Sequence, residues 1–337
     1  MILITGACGH IGNVLTRELY KQGHTNLRLF VQPNEDISHV KEYACEIVQG
    51  DIRDGRAVRK AAKDCETVFH LAGVVTVSNR YRQRVMDINY GGTKNVVAAC
   101  MAQGAGRLIH VSSTDSLKRL QDGRIDETHE AKPKTLKSVY AQSKAMANAH
   151  VFCAAAHGLD AVVVYPSSVL GPHDYQHTLT GGMIKRYLTQ GKIQVYFDGR
   201  YNFVDVRDAA NGMIQAWRKG EQGQGYMLAG NDCSIEDIIE AVQTSVGTRI
   251  RKMRVPVFLV YIAAALAPIY SRISGKQPIM SKNAIDVLRA DTKVSSDKAA
   301  KAFGFSARSL QNTIDDTIAW LRKHEPDSSD MDLGKIQ

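Results

Sequence analysis

The sequence Thr5-Gly6-Ala7-Cys8-Gly9-His10-Ile11-Gly12 directly follows a short apolar run, Met1 to Ile4. The apolar run predicts a buried strand, and the apolar spacing of the residues from Ile11 onward predicts one face of a helix. Backbone N–H groups at such a strand-to-helix turn point outward, and the helix dipole favours an anion there. Gly6 would form the turn, Gly9 would admit a pyrophosphate, and Gly12 would let the helix pack on the strand. The stretch therefore predicts a dinucleotide site, although an ordinary strand-to-helix loop can contain the same residues.

The composition is that of an ordinary globular protein, with 44% apolar and 23% charged residues in a chain of 337. The six cysteines are scattered, without a CxxC pair or a Cys/His cluster, which predicts reduced thiols in a cytoplasmic protein and no metal site. A signal peptide is not expected, because Met1 already belongs to the first strand. The net charge of +9 comes without a nucleic-acid-binding motif, so we expect an anionic cofactor or small-molecule substrate and no nucleic acid.

The longest apolar stretch runs from Val255 to Tyr270 and contains Pro256 and Pro268. It is shorter than the roughly 20 residues that a membrane-spanning helix needs. We therefore expect a buried or pocket-capping helix and no stable membrane insertion, with a peripheral membrane contact as the alternative.

Short apolar segments alternate with helical patterns along the first half of the chain. The strands predicted after the first are 27–31, 46–48, 67–70, 108–111 and 161–165, and the predicted helices are 54–62, 84–103 and 138–157. This alternation predicts an α/β fold with a Rossmann-type doubly wound parallel sheet. One further strand is expected at 226–229, and helices are expected at 234–246, 257–266, 281–288, 296–302 and 309–323.

The second half of the chain is therefore predicted to form a smaller, mostly helical C-terminal substrate-binding cap. The expected division places the dinucleotide-binding Rossmann domain at 1–165, with 203–230 returning to it. Residues 166–202 and 231–325 would form the cap. Residues 326–337 have the composition of a disordered tail.

The residues that follow the predicted strands are candidates for binding the cofactor. The second strand ends at Gln32, which is neither the acid that binds an NAD ribose nor the base that binds a 2′-phosphate. Because no carboxylate repels a phosphate there, NADP is favoured and NAD stays possible; Arg28, inside the strand, can point away from the site. Asp51 follows the third strand and can bind the adenine amino group or cap the next helix. His70, which ends the fourth strand, is expected to be structural.

The fifth predicted strand ends in hydroxyl side chains, with Ser113 and the alternative Ser112 at the edge where open sheets bind ligands. Tyr140 and Lys144 follow on a predicted helix, and their spacing places them on one face. An ammonium group beside a phenol lowers the pKa of the phenol, so that it can exchange a proton near neutrality. A second YxxxK, Tyr90 to Lys94, precedes the serine strand and is interpreted as a chance match.

The order of these motifs resembles that of the extended short-chain dehydrogenase/reductase family, whose members include NAD-dependent epimerases and dehydratases. The motifs are TGxxGxxG, Asp51, His70-Leu71-Ala72-Gly73, Asn89 with Gly92, the Ser113 strand and YxxxK; the resemblance continues through Tyr165-Pro166, the segment 202–210 and the segment 225–230. It covers roughly residues 1–325. The helices carrying Asn89 and Tyr140 often form the dimer interface in this family, so a homodimer is expected.

The resemblance implies a role for each matching residue. Tyr140 would be the general acid/base, Lys144 would bind the nicotinamide ribose, and Ser113 would hydrogen-bond the reacting oxygen. Asn89 would hold its helix or the adjoining loop rather than touch the substrate. The implied NAD(P)-binding residues are Gly6, Cys8, Gly9, His10, Ile11, Gly12, Gln32, Asp51, Ile52, Leu71, Ala72, Gly73, Tyr140, Lys144, Tyr165, Pro166 and Ser168.

Three departures separate the chain from the sugar-nucleotide members of the family. Ser168 stands where they tend to carry Asn, Tyr201 stands where they tend to carry Arg, and no tyrosine follows the serine strand. Arg200 is adjacent and can substitute, which keeps a sugar-nucleotide 4-epimerase or dehydratase as the alternative. The chain is more similar to the dihydroflavonol 4-reductase and 3β-hydroxysteroid dehydrogenase branch.

That similarity implies an oxidoreductase that reversibly reduces a ketone or aldehyde on a small, largely apolar substrate. The apolar segment 257–266 suits such a pocket. A non-catalytic NADP-binding regulator is the alternative of another class.

Overall fold

The computed structural model describes residues 1–43, 45–76, 79, 81–189, 193–247, 251–274, 285, 289 and 292–324. Its strands are β1 (Ile2–Thr5), β2 (Leu27–Val31), β3 (Glu46–Gln49), β4 (Thr67–His70), β5 (Arg107–Val111), β6 (Leu117–Arg119), β7 (Arg124–Glu130), β8 (Ala161–Pro166), β9 (Ser168–Leu170), β10 (Ile193–Tyr196), β11 (Arg200–Asp205), β12 (Gly225–Leu228), β13 (Asn231–Ser234), β14 (Arg251–Arg254) and β15 (Lys293–Val294). Its helices are α1 (His10–Lys21), α2 (Gly55–Ala61), α3 (Arg82–Met86), α4 (Gly92–Gln103), α5 (Val139–Ala156), α6 (Leu179–Thr189), α7 (Val206–Lys219), α8 (Ile235–Val246), α9 (Val257–Ser274), α10 (Asp297–Phe303) and α11 (Leu310–His324).

The main sheet has seven parallel strands in the order β12-β8-β5-β4-β1-β2-β3. The strand order reverses beside β1, because β2 lies on one side of it and β4 on the other. Open sheets of this kind bind ligands in the crevice at such a reversal, outside the carboxyl ends of the strands. The predicted Rossmann-type fold is confirmed.

Both faces of the sheet are buried except at the edge strand β3, as is usual for parallel strands. Alternate strand residues point to opposite faces, so Ile4 and Leu29 lie in a core cluster with residues of α1 and α7. Leu3 and Val68 lie in the cluster on the other face, with residues of α2, α4 and α5. The first cluster also contains Phe303 of α10, although the sequence assigns this segment to the cap. The expected division into domains stays a prediction.

A second layer of structure stands at the carboxyl edge of the sheet. Strands β13, β11 and β9 form a small sheet, and β10 pairs with β14. Residues of α6, α8 and α11 pack with this layer around a core cluster that contains Ile184, Ile239, Val242 and Ile318. The predicted helical cap is therefore present, and it also contains strands that the irregular sequence pattern did not indicate.

Several elements differ from the sequence expectation. The helix expected at 84–103 is divided into α3, a π-helical turn at Asp87–Gly91, and α4. The hairpin of β6 and β7 was not expected, because its residues are largely polar. The helix expected at 281–288 and the tail from residue 325 lie outside the described residues.

Helix α9 exposes apolar side chains instead of enclosing a pocket with them. Phe258, Leu259, Ile262 and Leu266 are 45% to 62% exposed. Within the described ranges, no helix is both long enough and apolar enough to cross a bilayer.

In α4, Val96 and Val97 are buried in the chain's own core, so their apolar side chains are not exposed for a dimer interface. The expected homodimer stays a prediction.

Candidate active site

The glycine loop between β1 and α1 has the geometry of a phosphate cradle. Gly6 has a φ of +71°, and a Cβ added there would lie 2.7 Å from the backbone nitrogen of Ala72. A Cβ on Gly12 would lie 2.1 Å from the Gly6 carbonyl oxygen, so the helix can approach the strand only because Gly12 has no side chain. At Gly9 the contact within 4 Å would be the Gly6 oxygen alone, at 3.3 Å. The space beside Gly9 therefore fits the pyrophosphate of a dinucleotide.

The N-terminus of α1 supports this fit. Gly9 is its N-cap and provides no capping side chain, and the first turn contains no acidic residue. The N–H groups at a helix start favour an anion. Cys8 is fully buried beside them. The His10 imidazole contacts the segment that follows β9, where its Nε2 lies 3.0 Å from the carbonyl oxygen of Pro172.

A buried polar chain connects β1 to the helices on the other side of β4. His70 Nδ1 lies 2.8 Å from the Thr5 hydroxyl, and His70 Nε2 lies 3.0 Å from the Thr93 hydroxyl. Burial first, and then the charge of Lys144, lower the pKa of His70 to about 3. His70 is therefore neutral and holds two structural elements together, as the sequence interpretation expects.

Asn89 fixes the loop that follows β4. Its Oδ1 accepts a hydrogen bond from the Val74 N–H at 2.7 Å, and its Nδ2 donates to the Val74 carbonyl at 3.1 Å and to the Ser143 hydroxyl at 2.9 Å. The Ser143 hydroxyl in turn donates to the Tyr140 carbonyl at 2.7 Å. Asn89 therefore ties the HLAG loop to the helix that carries Tyr140.

The structure brings Ser113, Tyr140 and Lys144 together at the carboxyl end of β5. The Ser138 side chain caps α5 by accepting a hydrogen bond from the Ala141 N–H, and this fixes where Tyr140 and Lys144 lie on the helix. Lys144 Nζ donates to the Val111 carbonyl at 2.8 Å. A Cβ on Gly73 would lie 3.4 Å from the same nitrogen, so the loop backbone passes directly beside the ammonium group.

The ionisation of these groups follows from their burial. Burial lowers the pKa of Lys144 from 10.5 to about 8. Burial first, and then the charge of Asp115, raise the pKa of Tyr140 above its usual range, whereas a hydrogen bond from Ser113 lowers it. The direction is opposite to the sequence expectation, because the loss of hydration around the buried phenol outweighs the favourable contacts.

Ser113 and Ser112 differ clearly in their surroundings. The Ser113 hydroxyl caps the 3-10 turn Thr114–Ser116 by accepting from the Asp115 N–H at 3.2 Å, so its own proton is available to Tyr140. Ser112 is buried, with its hydroxyl 3.1 Å from that of Ser116. The geometry therefore favours Ser113 over the alternative Ser112.

The second YxxxK lies in a different environment. Lys94 is exposed on α4, with its Nζ 5.6 Å from the centre of the Tyr90 ring. The Tyr90 ring packs against the edge of His150 at 6.3 Å. The Tyr90–Lys94 pair therefore lies at the surface, where Tyr90 contacts His150 of α5.

Asp115 and Tyr201 lie beside the candidate site, although neither was expected as a site residue. The Tyr201 hydroxyl donates to Asp115 Oδ1 at 2.7 Å. Burial raises the pKa of Asp115, and the Tyr201 hydrogen bond opposes that shift. A carboxylate two residues after the candidate serine was a visible signal for Asp115. Tyr201 comes close only through the pairing of β11 with β9 and β13, which the sequence did not predict.

The end of β2 carries acidic groups. Glu35 Oε2 accepts a hydrogen bond from the Gln32 N–H at 2.9 Å. Burial, and then the charges of Glu35 and Asp36, raise the pKa of Cys8 to about 12. The Arg28 side chain points away, donating to Glu46 at 2.9 Å and to the Ala61 carbonyl at 2.8 Å.

Asp51 lies after β3 and binds Arg53. Its carboxylate accepts two hydrogen bonds from Arg53 Nε at 3.0 Å each and one from the Arg53 N–H at 2.9 Å, and the side-chain bonds are the main reason that its pKa is lowered. The cap of α2 is Asp54, which accepts from the Arg56 N–H at 2.9 Å. Ile52 is buried, and its carbonyl accepts from the Asn95 amide at 2.9 Å.

Of the candidate cofactor-binding residues at the end of β8 and in β9, not all can reach the cofactor with their side chains. The Tyr165 ring is fully buried in the core beside Gly225, where an added Cβ would lie 2.7 Å from the ring. Only its backbone can face a cofactor. Pro166 ends β8 next to β12, and Ser168 is half-buried at the start of β9.

Among the described residues, no group of three or more His, Cys, Asp and Glu side chains is arranged to hold a metal ion.

The comparisons with known proteins identify the family. Residues 2–229 match the family model of the NAD dependent epimerase/dehydratase family. The chain belongs to this family.

Similar proteins cover nearly the whole chain. Sterol demethylase protein B of Methylococcus capsulatus is 28% identical over 323 residues, which is 95% of this chain and 98% of that protein. A Synechocystis protein with a provisional dihydroflavonol 4-reductase name is also 28% identical, over 95% of this chain and 94% of its own. The crystal structure of gox2253 superimposes with a TM-score of 0.83 at 30% identity, covering 96% of this chain and 98% of that one. The expected resemblance to the extended short-chain dehydrogenase/reductases, and to the dihydroflavonol reductase-like branch, is confirmed, and the protein is an NAD(P)-dependent oxidoreductase of this type.

Proposed function

We propose that the protein reversibly reduces a ketone or aldehyde on a small, largely apolar substrate. The observation that supports this most directly is the hydrogen bond between Ser113 and Tyr140 beside the buried Lys144. Tyr140 exchanges a proton with the substrate oxygen, and Ser113 donates a hydrogen bond to the same oxygen. Lys144 binds the ribose hydroxyls of the cofactor next to Gly73.

The ionisation of Tyr140 suits reduction. A nicotinamide supplies or accepts the hydride when it is bound. Because the pKa of Tyr140 is raised, the phenol is protonated near neutrality and can donate its proton to the oxygen that gains negative charge. In the oxidative direction Tyr140 must lose this proton, and the Ser113 hydrogen bond favours the phenolate.

Two features weigh against the sugar-nucleotide alternative. Tyr201 stands where the sugar-nucleotide members tend to carry Arg, and its hydroxyl donates its hydrogen bond to Asp115. Arg200 is exposed on the opposite face of β11, where its Nη2 lies 3.4 Å from the Asp232 carbonyl, because neighbouring residues of a strand point to opposite sides. Incubation with NAD and UDP-hexoses tests this alternative, and formation of an epimer would replace ketone reduction as the proposed activity.

The pairing of Ser113 with Tyr140 weighs against a non-catalytic regulator. A protein that only senses a cofactor needs a group such as Lys144 to bind it, but it does not need a serine and a tyrosine placed to bind and protonate a substrate oxygen. The experiment is to mix the purified protein with NADH and a panel of ketones and aldehydes and to follow the loss of cofactor absorbance. Turnover of a carbonyl compound supports the proposal, and inertness toward the whole panel contradicts it.

We further propose that the cofactor is NAD rather than the NADP that the sequence favours. That expectation assumed that no carboxylate stands at the end of β2, whereas Glu35 lies against the Gln32 backbone there. The loop that carries Glu35 also contacts the glycine loop, because His39 Nε2 lies 3.3 Å from the Cys8 carbonyl oxygen. A 2′-phosphate at this position would be repelled by the carboxylate, while a 2′-hydroxyl could donate a hydrogen bond to it.

We expect the protein to bind NADH about tenfold more tightly than NADPH, measured by the fluorescence enhancement of each cofactor. Glu35→Gln removes the charge and is expected to reduce this preference to about twofold or less. Glu46→Gln, which removes an exposed carboxylate on β3, is the matched control and should leave the preference unchanged. Tighter binding of NADPH by the unaltered protein would restore the NADP assignment.

A further inference from the structure

Helix α9 presents apolar side chains to solvent along one face. The exposed positions within residues 257–266 are all apolar: Phe258, Leu259, Ile262, Ala263, Ala265 and Leu266. At about 3.6 residues per turn these positions share one side of the helix, and the partly buried positions lie on the other side. A surface helix ordinarily turns polar side chains to solvent and apolar ones to the core. The exposed side of α9 therefore has the composition of a side that something covers.

The strand pair beside α9 extends this apolar surface. Val195 of β10 and Met253 of β14 are paired in register, and they are 55% and 50% exposed. Lys252 points to the other side of the pair, where it binds two glutamates of α8. The Val255 N–H donates to the Tyr196 carbonyl at 2.8 Å, which fixes the start of α9 against the end of β10. The strand pair and the helix therefore form one continuous surface.

The exposed apolar side chains are concentrated on this surface. The described residues include eleven large apolar side chains that are exposed. Six of the eleven form a patch that we call the α9 face: Val195, Met253, Phe258, Leu259, Ile262 and Leu266. Single apolar side chains scattered over a surface are normal, whereas a contiguous patch marks an interaction site.

The sequence around the α9 face is strongly basic. Residues 241–285 contain seven lysines and arginines and no aspartate or glutamate, so these 45 residues hold most of the chain's net charge of +9. Arg251 is exposed two residues before Met253, and the alternation along β14 places both side chains on the same side. A second copy of the chain on this face would bring like charges together, whereas an anionic surface would be attracted.

We propose that the α9 face binds the surface of an anionic phospholipid bilayer. Helix α9 would lie in the plane of the headgroups, as interfacial helices do. Phe258, Ile262 and Leu266 would enter the boundary of the acyl chains, and Arg251 would lie near the lipid phosphates. Binding of this kind is independent of the reaction proposed above.

Co-sedimentation with vesicles tests this assignment. The purified protein is mixed with phosphatidylcholine vesicles that contain either about 30% phosphatidylglycerol or none. We expect the partition coefficient to be at least about tenfold higher with the anionic vesicles at low salt, and this difference to shrink at high salt. Arg251→Gln should lower binding to the anionic vesicles about fivefold, the effect of one basic side chain near the surface.

Substitution of the exposed phenylalanine tests the apolar contribution. Phe258→Glu should reduce binding to the anionic vesicles at least about tenfold, because it removes apolar burial and adds a negative charge. Met101→Glu makes the same change of charge at an apolar side chain that is 53% exposed on α4. This matched control should bind within about twofold of the unaltered protein, because its charge is far from the α9 face and screened by salt.

A fluorescence measurement separates insertion from adsorption by charge alone. Phe258→Trp and Met101→Trp each add one tryptophan at an exposed apolar position. Brominated lipid in the anionic vesicles should quench the tryptophan introduced at position 258 and leave the one at position 101 unquenched. Because both positions are exposed, neither substitution is expected to disturb the core.

Failure to bind the anionic vesicles would overturn the proposal. So would binding that Phe258→Glu leaves unchanged, or a tryptophan at position 258 that brominated lipid does not quench, because another surface would then be responsible. Self-association without vesicles that Phe258→Glu abolishes would assign the α9 face to a second copy instead. Carbonyl turnover by a protein that binds no vesicles would contradict membrane binding alone, and vesicle binding without turnover would contradict the proposed reaction alone.

Discussion

Replacement of Tyr140 by phenylalanine is expected to lower kcat for carbonyl reduction by about 10³-fold, while NADH binds with an affinity within about threefold of the original. The phenol is a buried proton donor that forms a hydrogen bond with Ser113, and general acid catalysis typically contributes 10²- to 10⁴-fold. The ring itself is buried and remains in place, so the fold should be retained. Steady-state kinetics and cofactor fluorescence measure the two quantities separately.

The chain supplies its own control for this substitution. Tyr90 begins the second YxxxK, where the ring packs on His150 and the lysine is exposed. Tyr90→Phe should leave kcat unchanged within about twofold. If Tyr140→Phe retained more than about a tenth of the activity, another group would have to donate the proton.

The main sheet could be predicted because each of its strands is a short apolar segment between helical patterns. The strands at 27–31 and 67–70 agree with β2 and β4 residue by residue. Burial on both faces explains this success, since it demands continuous apolar runs. The glycine loop follows β1 and Ser113 follows β5, and parallel strands end at the same edge of the sheet. The candidate site could therefore be placed at the carboxyl edge of the sheet.

The contacts across the site could not be predicted in the same way. The hydrogen bond from Tyr201 to Asp115 joins residues 86 positions apart and depends on strand β11, which the sequence pattern did not indicate. The Glu35 contact depends on a loop that turns back on the end of β2, which has no periodic pattern. Sequence spacing also gave no measure of burial, and burial decides the direction of the Tyr140 pKa.

Substitution of Lys144 by methionine is expected to abolish most of the activity and at the same time to stabilise the cofactor-free protein at pH 7. Folding lowers the pKa of Lys144 from 10.5 to about 8. At about 1.4 kcal/mol for each pKa unit, the buried charge costs roughly 3 kcal/mol below pH 8. Loss of the hydrogen bond to Val111 offsets about 1 kcal/mol of the gain, which leaves a net gain of about 2 kcal/mol.

The pH dependence of this gain identifies its cause. Between pH 8 and 10.5 the unfolded chain binds more protons at this lysine than the folded chain does, so the unaltered protein regains stability relative to Lys144→Met as the pH rises. Above about pH 10.5 the gain should have disappeared, leaving only the loss of the hydrogen bond. Urea unfolding at a series of pH values measures the difference directly. Lys94→Met, at the exposed lysine of the second YxxxK, should show no such trend, and a gain for Lys144→Met that stays constant with pH would rule out the buried charge as its source.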